Sequence, residues 1–142
     1  MIVDANILLF AQDSSSRQHE PAKAWLTDAL NGTTRIGLPW VSLLAFVRIR
    51  THPRVFADPL TGAQAWGHVT DWLAAPAAWV PAPTERHATV LGGLIAEHGL
   101  TGNAIPDAHL ATLAIEHGVA VCSADTDFAR FAGVRWVNPV AR

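Results

Sequence analysis

Three aspartates, Asp4, Asp107 and Asp125, each sit at the end of an apolar segment. A carboxylate in that position is costly to bury unless a cation, a hydrogen-bond donor or solvent meets it. Carboxylate oxygens are hard ligands of the kind that Mg²⁺ and Mn²⁺ prefer to nitrogen or sulfur. Clustered carboxylates also raise one another's pKa, so a group of them is most stable with a divalent cation between its members. Cysteine and paired-histidine metal signatures are absent from the sequence. A second role competes: Asp4 and Asp125 could each simply cap a following helix, a common task for Asp at such junctions. Spacing alone does not separate a hydrolase from a phosphate-binding domain.

The elements that would position these acids alternate between strand and helix. Ile2-Val3 reads as a strand, followed by Asn6 as a cap and a helix through Ile7-Leu8-Leu9-Phe10. A helix from about Gln18 to Leu30 ends at Asn31-Gly32, and Arg35 to Leu38 gives a second short strand. Pro39 and Ser42 lead into a helix that runs to Arg50 or Thr51 and is stopped by Pro53. Further helices are expected over Thr61–Leu73 and over Thr84–His98, the latter capped by Thr84 and closed by Gly99. Trp79-Val80 lies between them as a short strand. Pro106 suits the first position of a helix that ends at Gly118. Val119–Cys122 and Val134–Val137 read as strands flanking a short helix, Asp125–Phe131. Short apolar strands separated by helices indicate parallel βαβ units and a three-layer α/β domain, with the acids at the carboxyl edge of the sheet.

At 142 residues, the expectation is one domain spanning 1–142 that buries roughly 68% of its unfolded surface. Half of the residues are hydrophobic and only 15% are charged, which excludes a disordered tail or a solvated coiled coil. With a net charge of −2 there is no bulk basic surplus, so a polyanion must be met locally or through metal ions. The single cysteine, Cys122, lies in an apolar run and reads as a core residue of a reducing compartment. No apolar run approaches the roughly 18 residues of a membrane span, and no basic region precedes the first apolar residues. A soluble cytoplasmic protein is expected.

Arg48, Arg50, His52 and Arg54 form the densest basic run, and Arg48, Arg50 and Arg54 are candidate phosphate contacts for a nucleic-acid backbone. His109 follows Asp107 by two residues and so lies on another side of the same helix, in a supporting or structural place. Of the six tryptophans, Trp25, Trp66 and Trp72 fall on apolar helix faces and read as core or dimer packing. Trp40 precedes the helix nearest the acids.

Four stretches together carry a family resemblance: Ile2-Val3-Asp4-Ala5-Asn6; Leu38-Pro39-Trp40 with Phe46-Val47-Arg48; Asn103-Ala104-Ile105-Pro106-Asp107-Ala108-His109-Leu110-Ala111; and Ser123-Ala124-Asp125-Thr126-Asp127-Phe128. In order and spacing they resemble the PIN-domain family, and within it the VapC-type toxins of bacterial toxin–antitoxin pairs, in a mycobacterial-type branch. The resemblance covers essentially the whole chain. It implies a Rossmann-like parallel sheet of about five strands, Mg²⁺- or Mn²⁺-dependent endoribonuclease activity on tRNA or rRNA, homodimerisation, and inhibition by a VapB-type antitoxin that inserts a segment near the acidic pocket. Asp4, Asp107 and Asp125 fall on the family's acidic positions, Asp127 on an accessory acid and metal position, and Asn6 and Ser123 on supporting polar positions. Cleavage is expected to leave a 5′-phosphate and a 3′-hydroxyl.

One position departs from the family pattern. Most PIN domains carry a Glu on the third helix, where this chain has Ala45, and an alanine cannot ligate a cation. The expectation is one strongly held ion, with Asp127 or water supplying what is missing. Ala45 favours one alternative, a catalytically weakened domain that mainly binds its antitoxin, and the Asp after the first strand suggests a second, an Asp-dependent phosphatase. The second requires an acid two residues after Asp4, where Asn6 stands.

Overall fold

The computed structural model describes residues 1–141. Five short parallel strands, β1 (Ile2–Val3), β2 (Ile36–Gly37), β3 (Ala78–Trp79), β4 (Val121–Cys122) and β5 (Trp136–Val137), form one sheet in the order β3-β2-β1-β4-β5. Six helices connect or flank them: α1 (Ala5–Gln12), α2 (His19–Leu30), α3 (Trp40–Arg50), α4 (Gly62–Leu73), α5 (His87–His98) and α6 (Ala104–His117). A 3₁₀ helix, Thr126–Arg130, links β4 to β5.

The first strand is central and pairs on both edges: Ile2 lies opposite Gly37 on β2 and opposite Val121 on β4. Successive side chains on a strand point to opposite faces. Accordingly, Val3 packs with Ile7, Leu8, Leu26, Leu43, Phe46 and Val69 on one side. Ile2 packs with Leu110, Leu113, Val121 and Phe128 on the other. Two adjacent residues thus serve two separate cores, which produces the three layers expected from the alternation of elements. Cys122 is fully buried, and burial pushes its thiol up to about 12, as befits an inert core residue.

The helix starts differ from the sequence expectation in three places. Asp4, not Asn6, caps α1 by accepting a hydrogen bond from the Ala5 amide at 2.7 Å. Thr84 does not cap α5, which begins three residues later; its hydroxyl and amide are both bound to Glu116. Helix α6 begins at Ala104, so Pro106 is its third residue rather than its first. A proline is tolerated there because first-turn amides have no partner inside the helix. Thr61 and Gln64 form the reciprocal capping box that starts α4. Gly99 and Gly118 close α5 and α6 in the left-handed conformation, at φ +58° and +64°.

Trp25 and Trp72 are half-buried against the first core, as their positions on apolar faces suggest. Trp66 is not in the core: it is 43% exposed, because its place on α4 turns away from Ala65 and Val69, which are fully buried.

Gly37 is the tightest point of the sheet. A Cβ there would lie 3.1 Å from Ile2 Cγ1, 3.2 Å from the Met1 carbonyl and 3.3 Å from Pro81 Cγ. Gly37→Ala is expected to destabilise the protein by roughly 1–3 kcal/mol, read as a lower urea midpoint at an unchanged slope.

Candidate functional site

The β1–β4 ladder continues past the strands, the Asp4 amide donating to the Cys122 carbonyl at 2.9 Å. This pairing sets Asp4 beside the β4 turn. One carboxylate oxygen, Oδ1, takes the Ala5 amide, and the other takes the Ser123 hydroxyl at 2.7 Å and the Asn6 amide group at 3.4 Å. Ser123 is fully buried, and both acceptor sites of its hydroxyl are used, by Asn6 Nδ2 at 3.0 Å and the Asp125 amide at 3.0 Å. Asn6 Oδ1 accepts the Ala124 amide at 3.2 Å, so Asn6 ties the two turns together from both ends of its side chain. The Asp4 carboxyl lies above its ordinary range: burial raises it most, the Ser123 and Ala5 hydrogen bonds pull it back, and Asp125 raises it further.

Asp125 caps the 3₁₀ helix through Oδ1, which accepts the Asp127 amide at 2.9 Å. Capping and site membership are therefore compatible, since one oxygen caps and the other remains. Asp107 sits in the first turn of α6, where the helix dipole favours an anion. Asp107, Asp125 and Asp127 each offer a ligand atom, and these atoms all lie within 4.8 Å of one another. The Asp107 carboxyl is pushed up to about 6, first by burial and then by the charges of Asp4 and Asp125, with Arg130 opposing.

The site residues expected from the sequence thus fall into three groups. Asp107, Asp125 and Asp127 converge as a possible metal cradle, and their hard, mutually repelling oxygens suit a divalent cation. Asp4 stands beside them, close enough to raise Asp107, but its own oxygens are occupied by the turn network that Asn6 and Ser123 build. Arg48 and Arg54 are exposed, as phosphate contacts would need to be. Arg50 is a correction. It is only 9% exposed, its Nε donates to Gln12 and its Nη1 to the Asp58 carbonyl, and its guanidinium lies 4.2 Å over the Phe56 ring. Buried and held by these contacts, it anchors the 51–60 loop and lacks the exposure a phosphate contact needs.

His109 also faces away from the acids. Its Nδ1 lies 2.9 Å from His87 Nε2, and His87 Nδ1 lies 2.8 Å from Glu116 Oε2, so a hydrogen-bonded chain joins α5 to α6. Two contributors were missed in the sequence. Arg130 pairs with Asp127 at 3.3 Å, and an acid–base pair three residues apart in a short helix was the available signal. The Trp136 indole N–H donates to the Ser123 carbonyl at 2.9 Å, and this long-range contact leaves no local mark. A groove of about 620 Å³ lies away from the acids between α1, α2 and α4, lined in part by Gln12, His19, Lys23, His68 and Trp72.

The PIN domain family profile matches residues 1–134. Among curated proteins, the chain is 49% identical over 140 residues to Ribonuclease VapC37 of Mycobacterium tuberculosis, covering 99% of this chain and 97% of that protein. It is 40% identical to Ribonuclease VapC33 of the same species, covering 99% and 98%. Among solved structures, VapBC2 from Rickettsia felis bound to a promoter DNA fragment aligns with a TM-score of 0.70 at 16% identity, covering 96% of each chain. A toxin–antitoxin complex from Klebsiella pneumoniae aligns at 0.62 and 19% identity, covering 97% and 96%. At those identities the structural likeness speaks for the fold.

Two outcomes are expected from this geometry. Because the folded pKa of Asp107 lies above its ordinary value of 3.8, protonation favours the fold. Metal-free protein should therefore lose stability as pH rises from about 4 through about 6, and Mn²⁺ should restore it more at about pH 7.5 than at about pH 5.5, on either side of the folded value; urea unfolding with and without metal measures both. Trp136→Phe keeps an aromatic ring, though a smaller one, but removes the N–H that holds Ser123. It should weaken Mn²⁺ affinity by roughly 10-fold in calorimetry with little change in melting temperature.

Proposed function

We propose, since the chain belongs to the PIN domain family, that it is a divalent-metal-dependent endoribonuclease acting as the toxin of a VapBC-type toxin–antitoxin pair. The single observation that carries the metal-dependent chemistry is the meeting of Asp107, Asp125 and Asp127 at the carboxyl edge of the sheet. The named ribonuclease activity of relatives up to 49% identical over nearly the whole chain supports the choice of RNA.

Asp107, Asp125 and Asp127 would hold Mg²⁺ or Mn²⁺, with Asp4 beside them as a further anion. When bound, the metal supplies Lewis-acid stabilisation of phosphate charge and a more acidic water. The chain's own residues do the rest. The Asn6–Ser123–Asp4 network fixes the two turns that carry the acids, so that the carboxylates are placed before substrate arrives. Arg130, paired to Asp127, limits the negative charge that an approaching phosphodiester must face. Arg48 and Arg54 lie exposed to take backbone phosphates, which position an RNA without reading its sequence. In-line addition of water to phosphorus then breaks the bond to the 3′ oxygen, leaving a 5′-phosphate and a 3′-hydroxyl.

The antitoxin is proposed to be VapB-like, as the toxin–antitoxin complexes of similar fold suggest, and the groove between α1, α2 and α4 is a suitable seat for one of its helices. A single-domain chain that forms a homodimer and acts in the cytoplasm completes the proposal. One observation favours a second reading, a domain that mainly binds its partner: Ala45, half-buried on α3, offers no ligand where most of the family has a Glu. Asn6 gives no support to phosphatase chemistry, because its side chain is held at both ends.

Asp107→Asn is expected to cut Mn²⁺-dependent RNA cleavage by at least roughly 100-fold and to abolish growth arrest on expression. Its melting temperature should match or exceed the wild type, since a crowded charge is removed. Wild-type protein that binds Mn²⁺ and antitoxin yet cuts no RNA would establish the partner-binding reading instead.

A further inference from the structure

We propose that Trp40 and Trp66 form a base-stacking platform for single-stranded RNA, with Arg48 as its phosphate contact. The proposal rests on the ribonuclease reading and adds to it a seat for the substrate outside the acids.

The two indoles stack on each other across α3 and α4, parallel to within 9° with ring centroids 6.1 Å apart. Both stand in solvent, 45% and 43% exposed, beside Leu44 at 55%. Large aromatic faces left in water cost stability, and an exposed patch of this kind on a soluble protein marks a binding surface. The position relative to the acids follows from the strand register. Ile2 and Gly37 are paired on adjacent strands; Asp4 lies two residues past the first and Trp40 three residues past the second. Trp40 therefore emerges at the same carboxyl edge as the acids, one strand over.

The chemistry of the row selects the occupant. Trp40, Leu44 and Arg48 follow one another at four-residue intervals on the exposed face of α3, spanning about 12 Å. Arg48 has no carboxylate within ion-pair distance among the described residues, so its charge is free for an anion. A strand entering the site approaches a cluster of aspartates on a protein of net charge −2, and bulk electrostatics give it no hold. Indole faces supply a hold that does not depend on charge, because every base has a π face. The free cation two turns along complements the phosphate that must follow a stacked base. A partner offering an apolar helix would be matched by a row that stays apolar, whereas this row ends in a charge.

The test compares two labelled oligomers of about ten nucleotides, one bearing bases and one abasic, binding to the full chain in EDTA so that nothing is cut. Wild type is expected to prefer the base-bearing strand by roughly 10-fold or more. Trp40→Ala and Trp66→Ala should each collapse that preference, while Trp40→Phe keeps most of it. Arg48→Ala should weaken both strands alike and flatten the salt dependence. If Trp40→Ala unfolds, Trp40→Leu, which keeps apolar bulk without a π face, gives the same reading. Undiminished base preference in folded Trp40 and Trp66 variants would overturn the platform. So would loss of self-association or antitoxin binding with RNA binding intact, since the patch would then be a protein interface. Base-selective binding by a wild type that cleaves no RNA with Mn²⁺ would support the platform and remove the ribonuclease reading; cleavage without base selectivity would do the reverse.

Discussion

The hydrogen bond from the Ser123 hydroxyl to the Asp4 carboxylate, 2.7 Å long, joins two turns that are 119 residues apart in sequence. Much of the site depends on it. Four aspartates crowd one end of the sheet, and their mutual repulsion opposes any arrangement that brings them close. The fold meets that repulsion with hydrogen bonds to the carboxylates and the turns that carry them, from the Ala5 amide, Asn6, the Ser123 hydroxyl and the Asp127 amide, and with the Arg130 guanidinium. Ser123 is central because its one hydroxyl donates to Asp4 while accepting from Asn6 and from the Asp125 backbone. Its carbonyl is held in turn by Trp136, so the last strand reaches back to steady the first.

Charge distribution divides the molecule's work. The acids collect where β1 and β4 end, and the exposed arginines of α3 and the following loop lie on the neighbouring β2 side. Under the nuclease proposal, a phosphodiester strand would be held by cations and aromatic faces at one place while its reacting phosphate meets carboxylates at another. The buried Arg50 shows the other use of a guanidinium: it satisfies a side-chain oxygen and a backbone carbonyl and covers an aromatic ring, which fixes the loop instead of serving a ligand.

The layer order and the parallel sheet were readable from residue type and position, as was the placing of Asp107 and Asp125 at one edge; Asp127, which joins them there, came from the family resemblance, and Asp4 stands beside the three. Ile2-Val3 and Val121-Cys122, short apolar runs between helical patterns, suited short buried strands, which places the acid that follows each run at the carboxyl edge. What escaped the reading was set by distant partners. Thr84 looks like a helix cap until Glu116, far along the chain, takes its hydroxyl. Trp66 has an apolar neighbourhood in sequence, yet its helix turns it toward Trp40 in solvent. Arg50 is spaced like its exposed neighbours, and only the return of the loop over it, bringing Asp58 and Phe56, shows that it is enclosed. The occupancy of both Asp4 oxygens likewise needed the fold, because Ser123 is nowhere near it in the chain.

Helix α5 has no fully buried residue, and polar links through Thr84, His87, His109 and Glu116 help fasten its start to α6. Its outward face carries Ala88, Gly92, Gly93 and Ala96, small side chains that add little grip of their own. Such an element opens more readily than one with a fully buried face, so amide exchange along it should report local opening before the central strands let go.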